Sequence, residues 1–363
     1  MKKNKNYVDL KDQPVSEGQH LLEVDDLKMY FHTEDGVVRA VDGVSYTLDR
    51  GETLGVVGES GYGKSVTDMT IMGLISMPPG KIEGGDVRYR GRSILEMTEE
   101  EMQHIRGNDI AMIFQDPMTS LNPVYKIGKQ VGEGLRLHRG YSKQEALKRA
   151  TELLDLVGIP EPEKRVNEYP HQLSGGMRQR VMIAMALACD PDILIADEPT
   201  TALDVTIQAQ IIELMQEMQE KNGNAIIMIT HDLGVVADMA DKIMVMYAGR
   251  PVEFGTAEEI FYESRHPYTW GLIRSIPEQA IDEKKPLTPI HGNPPSLMNL
   301  PEGCVFSPRC PYATDKCRKQ RPERFVTESG HYSACHYSGD PEFLKNAPET
   351  SRTRKDSKKG GEA

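Results

Sequence analysis

The stretch Gly58-Glu59-Ser60-Gly61-Tyr62-Gly63-Lys64-Ser65 limits the possible folds of this chain more than any other feature. It follows an apolar run at residues 53–57 that predicts a buried strand, and it precedes a predicted helix. The pattern is the phosphate loop G-x-x-x-x-G-K-[ST] in the strand–loop–helix setting that it requires. Its backbone N–H groups and the start of the helix attract phosphate oxygens. We therefore expect Lys64 to reach the β- and γ-phosphates of a nucleotide, and the Ser65 hydroxyl to ligate Mg²⁺.

Composition narrows the class of protein. The 363 residues carry a formal net charge of −12, which argues against a broad nucleic-acid-binding face. No apolar run approaches the length of a bilayer span, and residues 1–5 lack an apolar signal core, so we expect a soluble, intracellular protein. Cys189 stands alone and predicts a small buried side chain, whereas Cys304, Cys310, Cys317 and Cys335 are grouped late in the chain. In a reducing compartment, such a group indicates metal or redox chemistry rather than disulfides.

The order of apolar and polar segments predicts an α/β fold with two subdomains. Strand-like segments at 22–24, 28–31, 37–41 and 44–48, with a turn at 34–36, predict an antiparallel sheet before the phosphate loop. Residues 124–188 predict an inserted helical subdomain, in which Ser142 and Glu145 form a capping box. The predicted domains are a flexible N-terminus at 1–20, a nucleotide-binding domain at 21–265, a small irregular Cys-rich extension at 266–340, and a disordered tail at 341–363.

Polar residues follow three apolar segments that predict buried strands. Gln115 follows residues 109–114, Asp197 and Glu198 follow 193–196, and His231 follows 225–230. Ligands of open α/β sheets bind at the carboxyl ends of the strands. Asp197 is predicted to hold the Mg²⁺ shell, and Glu198 to orient or deprotonate a water. From the residues alone, Gln115 could also belong to an ordinary strand-end loop. His231 could sense the γ-phosphate or make a structural hydrogen bond, and the residues alone favour the structural role.

Together with Leu173-Ser174-Gly175-Gly176-Met177, these motifs resemble those of an ABC-type ATPase over about residues 20–255. The resemblance implies that two such domains pair head to tail, with ATP between one phosphate loop and the partner's counterpart of Ser174, Gly175, Gly176 and Met177. It implies Glu198 as general base, His231 as a γ-phosphate ligand, and Gln115 as a contact of Mg²⁺ and water that couples to membrane subunits. Asp204 would bridge across the dimer.

The resemblance also implies a set of nucleotide ligands. An aromatic side chain would stack on the base, with Phe31 favoured over Tyr30, although a strand aromatic is as readily a core residue. Tyr62 is bulky for a loop tip, but its backbone N–H remains available to phosphate. The residues predicted to bind ATP are Phe31 or Tyr30, Gly58, Ser60, Gly61, Tyr62, Gly63, Lys64, Ser65 and Val66, and those predicted to ligate Mg²⁺ are Ser65, Gln115 and Asp197.

Two further segments, Gln115–Pro123 and His266–Thr269, resemble the oligopeptide/dipeptide (and nickel) permease branch of these ATPases. In that branch, a C-terminal extension with four cysteines is similar to a [4Fe–4S] site, here Cys304, Cys310, Cys317 and Cys335. From the residues alone, four thiolates suit zinc or iron–sulfur. Zinc sites usually contain close Cys-x-x-Cys pairs, so the wider spacings favour the cluster, with unmetallated thiols as a third possibility. His331 and His336 are close enough in sequence to act as substitute ligands.

The resemblance implies an ATPase subunit that powers peptide import from the cytoplasmic face of the cell membrane. Its expected partners are a second ABC ATPase subunit, expected to be a different chain, two membrane permease subunits and an extracytoplasmic peptide-binding protein. One alternative is import of nickel or another small solute. Another is a soluble ABC ATPase of DNA repair or translation, which the short insert between Gln115 and Leu173 and the acidic charge disfavour. A third is a redox-regulated switch based on the cysteines.

Overall fold

The computed structural model describes residues 10–11, 18–59, 61, 63–199, 205–276 and 290–348. In these ranges the strands are β1 (Leu22–Thr33), β2 (Gly36–Leu48), β3 (Thr53–Val57), β4 (Gly80–Tyr89), β5 (Arg92–Ser93), β6 (Ile110–Ile113), β7 (Ile193–Asp197), β8 (Ala225–Thr230), β9 (Lys242–Tyr247), β10 (Arg250–Thr256), β11 (Phe325–Val326) and β12 (Tyr332–Ser333). The helices are α1 (Lys64–Ile71), α2 (Glu99–Ile105), α3 (Pro117–Ser120), α4 (Ile127–His138), α5 (Lys143–Leu156), α6 (Pro162–Arg165), α7 (Gly175–Leu187), α8 (Val205–Asn222), α9 (Leu233–Met239), α10 (Ala257–Tyr262), α11 (Pro267–Arg274), α12 (Asp315–Lys319) and α13 (Pro341–Leu344).

The strand that leads into the phosphate loop, β3, lies inside the larger sheet. The order of this sheet is β11-β12-β10-β9-β3-β8-β7-β6, and the five strands from β9 to β6 are parallel. Alternate residues of β7, such as Leu194 and Ile195, enter different apolar clusters, one on each face of the sheet. Burial on both faces explains why these strands read as uninterrupted apolar runs. Parallel strands also bring their carboxyl ends, and the loops after them, to one edge.

The smaller sheet confirms the predicted hairpin before the phosphate loop. Its order is β2-β1-β4-β5, and all of its neighbouring strands are antiparallel. The predicted pieces at 22–24 and 28–31 form one strand, because a bulge at Asp26, with φ of 44°, interrupts the pattern without ending the pairing. A buried carboxylate joins the two sheets: Asp192 accepts hydrogen bonds from Tyr89 Oη at 2.6 Å and Arg90 Nε at 3.1 Å.

The inserted helices α4, α5 and α7 pack against one another through a shared apolar cluster. Ser142 caps α5 and forms the predicted capping box with Glu145, so that prediction is confirmed. One face of α5 is buried, since Ala146, Ala150 and Leu153 are each at most 2% exposed. The structure therefore places a compact helical layer between β6 and β7 in the chain.

The antiparallel end of the larger sheet, formed by β10, β12 and β11, was not predicted. β10 pairs antiparallel with β9 and then with β12. The composition of β10 does not predict a strand, because proline, glycine and charged residues are depleted in strands and β10 contains Pro251, Glu253 and Gly255. Through β12, the sheet continues into the C-terminal region.

The C-terminal region, residues 290–348, packs around α11. Trp270 of α11 is fully buried, and its ring lies 5.7 Å from that of Tyr312 and 5.3 Å from that of Phe343, centroid to centroid. Phe343 belongs to α13, which lies inside the segment predicted as a disordered tail. The predicted start of that tail at residue 341 is therefore too early, because an aromatic contact holds α13. Residues 349–363 lie outside the described residues.

Part of the predicted flexible N-terminus is packed. Leu10 is 4% exposed within the apolar cluster that the two sheets share, and Lys11 Nζ donates to the Asn108 carbonyl at 3.1 Å. Residues 1–9 and 12–17 lie outside the described residues. No helix in the described part of the chain is both long and apolar enough to cross a bilayer.

Candidate nucleotide site

The phosphate loop turns sharply into α1 at Gly63. This residue has φ of 88°, in the left-handed region that favours glycine, and it is the N-cap of α1. A Cβ at this position would lie 1.8 Å from the carbonyl oxygen of Ala40 in β2. The loop backbone is therefore packed directly on the smaller sheet. Ser60 and Tyr62 lie outside the described residues, and their predicted contacts with ATP stay predictions.

Lys64 is held inside the loop. Its Nζ donates to the carbonyl oxygens of Gly58 at 2.6 Å and Glu59 at 2.8 Å, and the residue is 5% exposed. Burial lowers the pKa of Lys64, while the carboxylates of Glu198, Asp197 and Glu59 act in the opposite direction. Several acids thus stabilise a buried ammonium at the place where the phosphates of a nucleotide are expected.

Asp197 and Ser65 meet beneath the loop. The Ser65 hydroxyl hydrogen-bonds to the Asp197 carboxylate, and within the described residues Asp197 Oδ1 is buried without a hydrogen-bond partner. Burial raises the pKa of Asp197, and the charge of Glu198 raises it further. An unpaired buried carboxylate oxygen is costly unless a cation or donor compensates it. A carboxylate and a hydroxyl are ligands that Mg²⁺ prefers, so the residues fit the predicted metal.

The three residues predicted to be catalytic lie together at the edge of the larger sheet. Gln115 Nε2 donates to Glu198 Oε2 at 3.0 Å, and His231 Nδ1 lies 3.4 Å from Glu198 Oε1. They come from the carboxyl ends of β6, β7 and β8, which are adjacent parallel strands. Glu198 is 6% exposed, whereas the His231 side chain is 55% exposed. An amide and an imidazole thus orient one carboxylate beside Asp197.

The two aromatic candidates for base stacking have different surroundings. The Tyr30 hydroxyl donates to Asp42 Oδ1 at 2.9 Å, and Arg250 Nε donates to Asp42 Oδ2 at 2.8 Å. Burial raises the pKa of Tyr30, as does the bonded carboxylate of Asp42. Phe31 is half-buried and packs on the apolar cluster that the two sheets share, as does Val66 of α1. The role of each in nucleotide binding stays a prediction.

The segment Ser174–Met177 begins α7. Ser174 is the N-cap and accepts a hydrogen bond from the Met177 N–H at 3.3 Å, while Ser174 and Gly175 are exposed. An exposed helix start suits an anion supplied from outside this chain. Asp204, predicted to bridge a dimer, lies outside the described residues.

Gln179 is a connecting residue that was not predicted from the sequence. It lies on α7 and is 1% exposed, and its Nε2 donates to the Pro199 carbonyl at 2.6 Å. Pro199 directly follows Glu198, so the helix that begins at Ser174 is tied to the segment that carries the predicted base. The sequence held no signal for this contact, because Gln179 stands between Arg178 and Arg180, where a polar side chain is ordinary.

The predicted iron–sulfur cluster is wrong. Across the described ranges, no group of three or more His, Cys, Asp or Glu side chains is placed to hold a metal ion, which also removes the zinc alternative. The four late cysteines are free thiols that line a cavity of about 20 Å³, together with Phe306, Tyr312, Tyr337 and Phe343. Burial raises the pKa of Cys310 to about 11 and that of Cys335 to about 12, so the thiol form is favoured over the thiolate that binds metals.

The two histidines considered as substitute ligands have other partners. His331 is 1% exposed, and its Nε2 lies 3.0 Å from Glu253 Oε1. His336 Nε2 lies 2.9 Å from the carbonyl oxygen of Gln320. Cys189 is 2% exposed, which confirms its prediction as a small buried side chain.

Two family models match the chain. The one described as ABC transporter matches residues 41–201, and the one described as Oligopeptide/dipeptide transporter, C-terminal region, matches residues 252–317. The first match contains the phosphate loop, Gln115, Ser174 and Glu198, and the second contains α11 and three of the late cysteines.

Similar proteins cover most of the chain. The oligopeptide transport ATP-binding protein of Bacillus subtilis (strain 168) is 58% identical over 312 residues, which are 86% of this chain and 87% of that protein. The dipeptide transport ATP-binding protein of Escherichia coli (strain K12) is 52% identical over 320 residues, which are 88% and 97% of the two chains. Among solved structures, a dimeric ATP-binding cassette in a post-hydrolysis state with ADP and phosphate has a TM-score of 0.60 at 29% identity, covering 65% of this chain and 98% of that one.

Proposed function

This chain belongs to the ABC transporter family, as an ATP-hydrolysing subunit of its oligopeptide and dipeptide branch, and from that premise we propose how its residues power peptide import. The predicted P-loop ABC-type fold is confirmed for the ATPase domain. The relatives are named for peptides, which favours peptide import over nickel import and over a soluble ATPase of DNA repair or translation. The observation that carries the proposal is the meeting of Gln115, Glu198 and His231 beside Lys64 and Asp197.

The phosphate loop binds the triphosphate of ATP. Lys64 already donates to two loop carbonyls, and it turns from them to the β- and γ-phosphate oxygens. Ser65, Asp197 and Gln115 would hold Mg²⁺, which when bound supplies positive charge that offsets the charge of the phosphates. The base stacks on Phe31, with Tyr30 as the second candidate.

Glu198 orients a water for attack on the γ-phosphate and accepts its proton. Its carboxylate is held on one oxygen by the Gln115 amide and on the other by His231, so its position is fixed before the substrate arrives. Such preorganisation lowers the cost of reaching the transition state. His231 is exposed enough to contact the γ-phosphate from the open side of the site.

The complete ATP site is shared between two ATPase domains. The exposed start of α7, at Ser174, Gly175 and Gly176, serves a nucleotide held by a second ABC ATPase subunit, which we propose to be a different chain. Gln179 connects that helix to Pro199 and hence to the catalytic carboxylate. Contact with the partner's nucleotide is thus transmitted to the base in the same chain.

Membrane permease subunits dock on the helical subdomain at the cytoplasmic face of the cell membrane. A groove of about 720 Å³ lies there, with the exposed side chains of Val124 (71% exposed), Tyr125 (44%) and Leu147 (40%). The same groove is lined by Lys126, Lys129, Arg136 and Lys143. Exposed apolar side chains beside basic ones suit an apolar segment of a permease subunit that has acidic residues on either side. A peptide-binding protein on the other side of the membrane completes the proposed importer.

Purification from membranes tests this function. The chain is recovered in mild detergent from the cell that makes it, and the complex is reconstituted in vesicles with labelled peptide outside. We expect two membrane subunits to co-purify and ATP to drive peptide accumulation, with a Glu198→Gln complex as the inactive control. Recovery of an active ATPase without membrane subunits would contradict the transporter role.

A further inference from the structure

The phosphate loop is attached to the C-terminal region through Glu59. Both carboxylate oxygens of Glu59 accept hydrogen bonds from Arg309: Oε2 from Nη1 at 2.6 Å and Oε1 from Nη2 at 2.9 Å. The Arg309 side chain is 4% exposed and that of Glu59 is 29% exposed. Two parallel bonds from a planar guanidinium fix the orientation of the carboxylate as well as its distance.

Tyr268 of α11 holds the same residue by its backbone. The Glu59 N–H donates to the Tyr268 hydroxyl at 2.9 Å. The Tyr268 ring is fully buried, and its centroid lies 4.7 Å from that of Tyr247 in β9 and 5.4 Å from that of Phe306. Because these rings confine the phenol on two sides, Glu59 is held at both its side chain and its main chain.

The guanidinium of Arg309 is itself oriented by the region around it. Its Nε donates to the His291 carbonyl at 3.0 Å, and its Nη2 donates to the Ile290 carbonyl at 3.2 Å. Its Nη1 also lies 3.4 Å from the Tyr247 hydroxyl. A side chain anchored in this way loses little further freedom when it binds Glu59.

Glu59 is also linked to the lysine that contacts phosphate. Its carbonyl oxygen accepts a hydrogen bond from Lys64 Nζ at 2.8 Å. A shift of Glu59 therefore moves an acceptor of Lys64 together with the backbone of the loop. The contacts of Arg309 and Tyr268 reach the ATP site through this one residue.

We propose that Arg309 and Tyr268, here called the loop clamp, are positioning residues of the ATPase. They set the conformation of the phosphate loop from the C-terminal region, and thereby its affinity for ATP, without touching the nucleotide. The inference rests on the proposed function as an ATPase and adds a role for residues that lie outside the nucleotide motifs. It makes the C-terminal region a determinant of ATP binding.

Replacement of Arg309 in the full-length chain tests the clamp. Affinity for ATP is measured by calorimetry and hydrolysis by phosphate release, in separate experiments. We expect Arg309→Met to weaken ATP binding about tenfold or more, because hydrogen bonds between charged groups are lost, and to raise KM by a similar factor with a smaller change in kcat. Arg309→Lys keeps the positive charge but cannot form the two parallel hydrogen bonds of a guanidinium, so its effect should be intermediate.

Arg318→Met is the matched control. Arg318 lies in the same C-terminal region and pairs with Asp315 at 3.0 Å, but the two side chains are 60% and 86% exposed. Exposed pairs contribute little, so ATP affinity should equal that of the wild type. Tyr268→Phe removes the acceptor of the Glu59 N–H and nearly preserves the ring, which gives a second test if Arg309→Met folds poorly.

A double-mutant comparison separates positioning from general stability. If Arg309 acts through Glu59, Arg309→Met should weaken ATP binding little further in a Glu59→Gln background. Equal ATP affinity in the wild type and Arg309→Met overturns the proposal, and so does a lower unfolding temperature with unchanged affinity. Absence of ATP hydrolysis in the wild type would instead contradict the proposed function, because the binding measurement tests the clamp independently.

Discussion

A single methyl group at Gly63 should disable the phosphate loop. Gly63→Ala places a Cβ 1.8 Å from the Ala40 carbonyl oxygen, whereas ordinary contacts begin at 3.4 Å. The loop or β2 must therefore move by more than 1 Å. Neither the added Cβ nor the backbone oxygen of Ala40 can avoid the other by a side-chain rotation. Alanine at φ of 88° adds strain of about 1–2 kcal/mol.

Gly61→Ala provides the matched control for this prediction. Gly61 has φ of 83°, so the same substitution carries the same strain, but within the described part of the chain no atom lies within 4 Å of its added Cβ. We expect Gly61→Ala to lower the unfolding temperature slightly and to lose less ATP turnover than Gly63→Ala, because alanine keeps the backbone N–H predicted to bind phosphate and its Cβ meets no other atom of the described residues. Gly63→Ala should lose about 100-fold or more in turnover, since displacement of a binding group by about 1 Å has that effect.

The assay is phosphate release by purified variants, together with thermal unfolding of each variant without nucleotide. If the contact with Ala40 is decisive, Gly63→Ala should lose more turnover and more thermal stability than Gly61→Ala. Equal losses in the two variants would show that backbone strain alone sets the outcome, and that contact with Ala40 has no part in it.

Three further predictions concern catalysis and stability. Glu198→Gln should lower kcat about 10²- to 10⁴-fold and leave ATP binding intact, which phosphate release and calorimetry would measure. Asp192→Ala should lower the free energy of unfolding in urea by about 3–5 kcal/mol, because Arg90, whose side chain is 4% exposed, loses its buried partner; unchanged stability would contradict this. Burial lowers the pKa of His266 to about 3. Its neutral ring therefore stabilises the fold fully above the unfolded pKa of about 6.5 and progressively less as the pH falls towards 3. Between a pH above 6.5 and a pH nearer 3, the melting temperature of the wild type should fall more than that of His266→Asn.

The residues of the candidate nucleotide site were predictable from local motifs and from the polar residues that follow apolar strands. Gln115, Glu198 and His231 each follow an apolar run, and the parallel order of β6, β7 and β8 brings those ends to one edge. This convergence was predictable, because buried parallel strands leave an uninterrupted apolar signal. The hairpin of β1 and β2 was predictable from its turn, although the bulge at Asp26 made one strand look like two.

Long-range contacts were not predictable from the sequence alone. Glu59 and Arg309 are 250 positions apart, and neither lies in a pattern that indicates the other. The late cysteines gave a misleading signal, since spacing reveals neither the side-chain directions nor the aromatic surroundings that keep them as thiols. Strand β10 was missed because its pairing with β9 and β12 overrides an unfavourable composition.

Trp270 gives the loop clamp an optical reporter. It is the single tryptophan of the chain, and it lies two positions after Tyr268 on α11, with its Nε1 donating to the Ser264 carbonyl at 2.9 Å. Indole emission depends on the packing and hydrogen bonding of the ring. Both change if α11 moves, because α11 carries Trp270 as well as Tyr268, which contacts the phosphate loop. The unlabelled protein should therefore change its fluorescence when ATP binds, and this change should be absent in Tyr268→Phe.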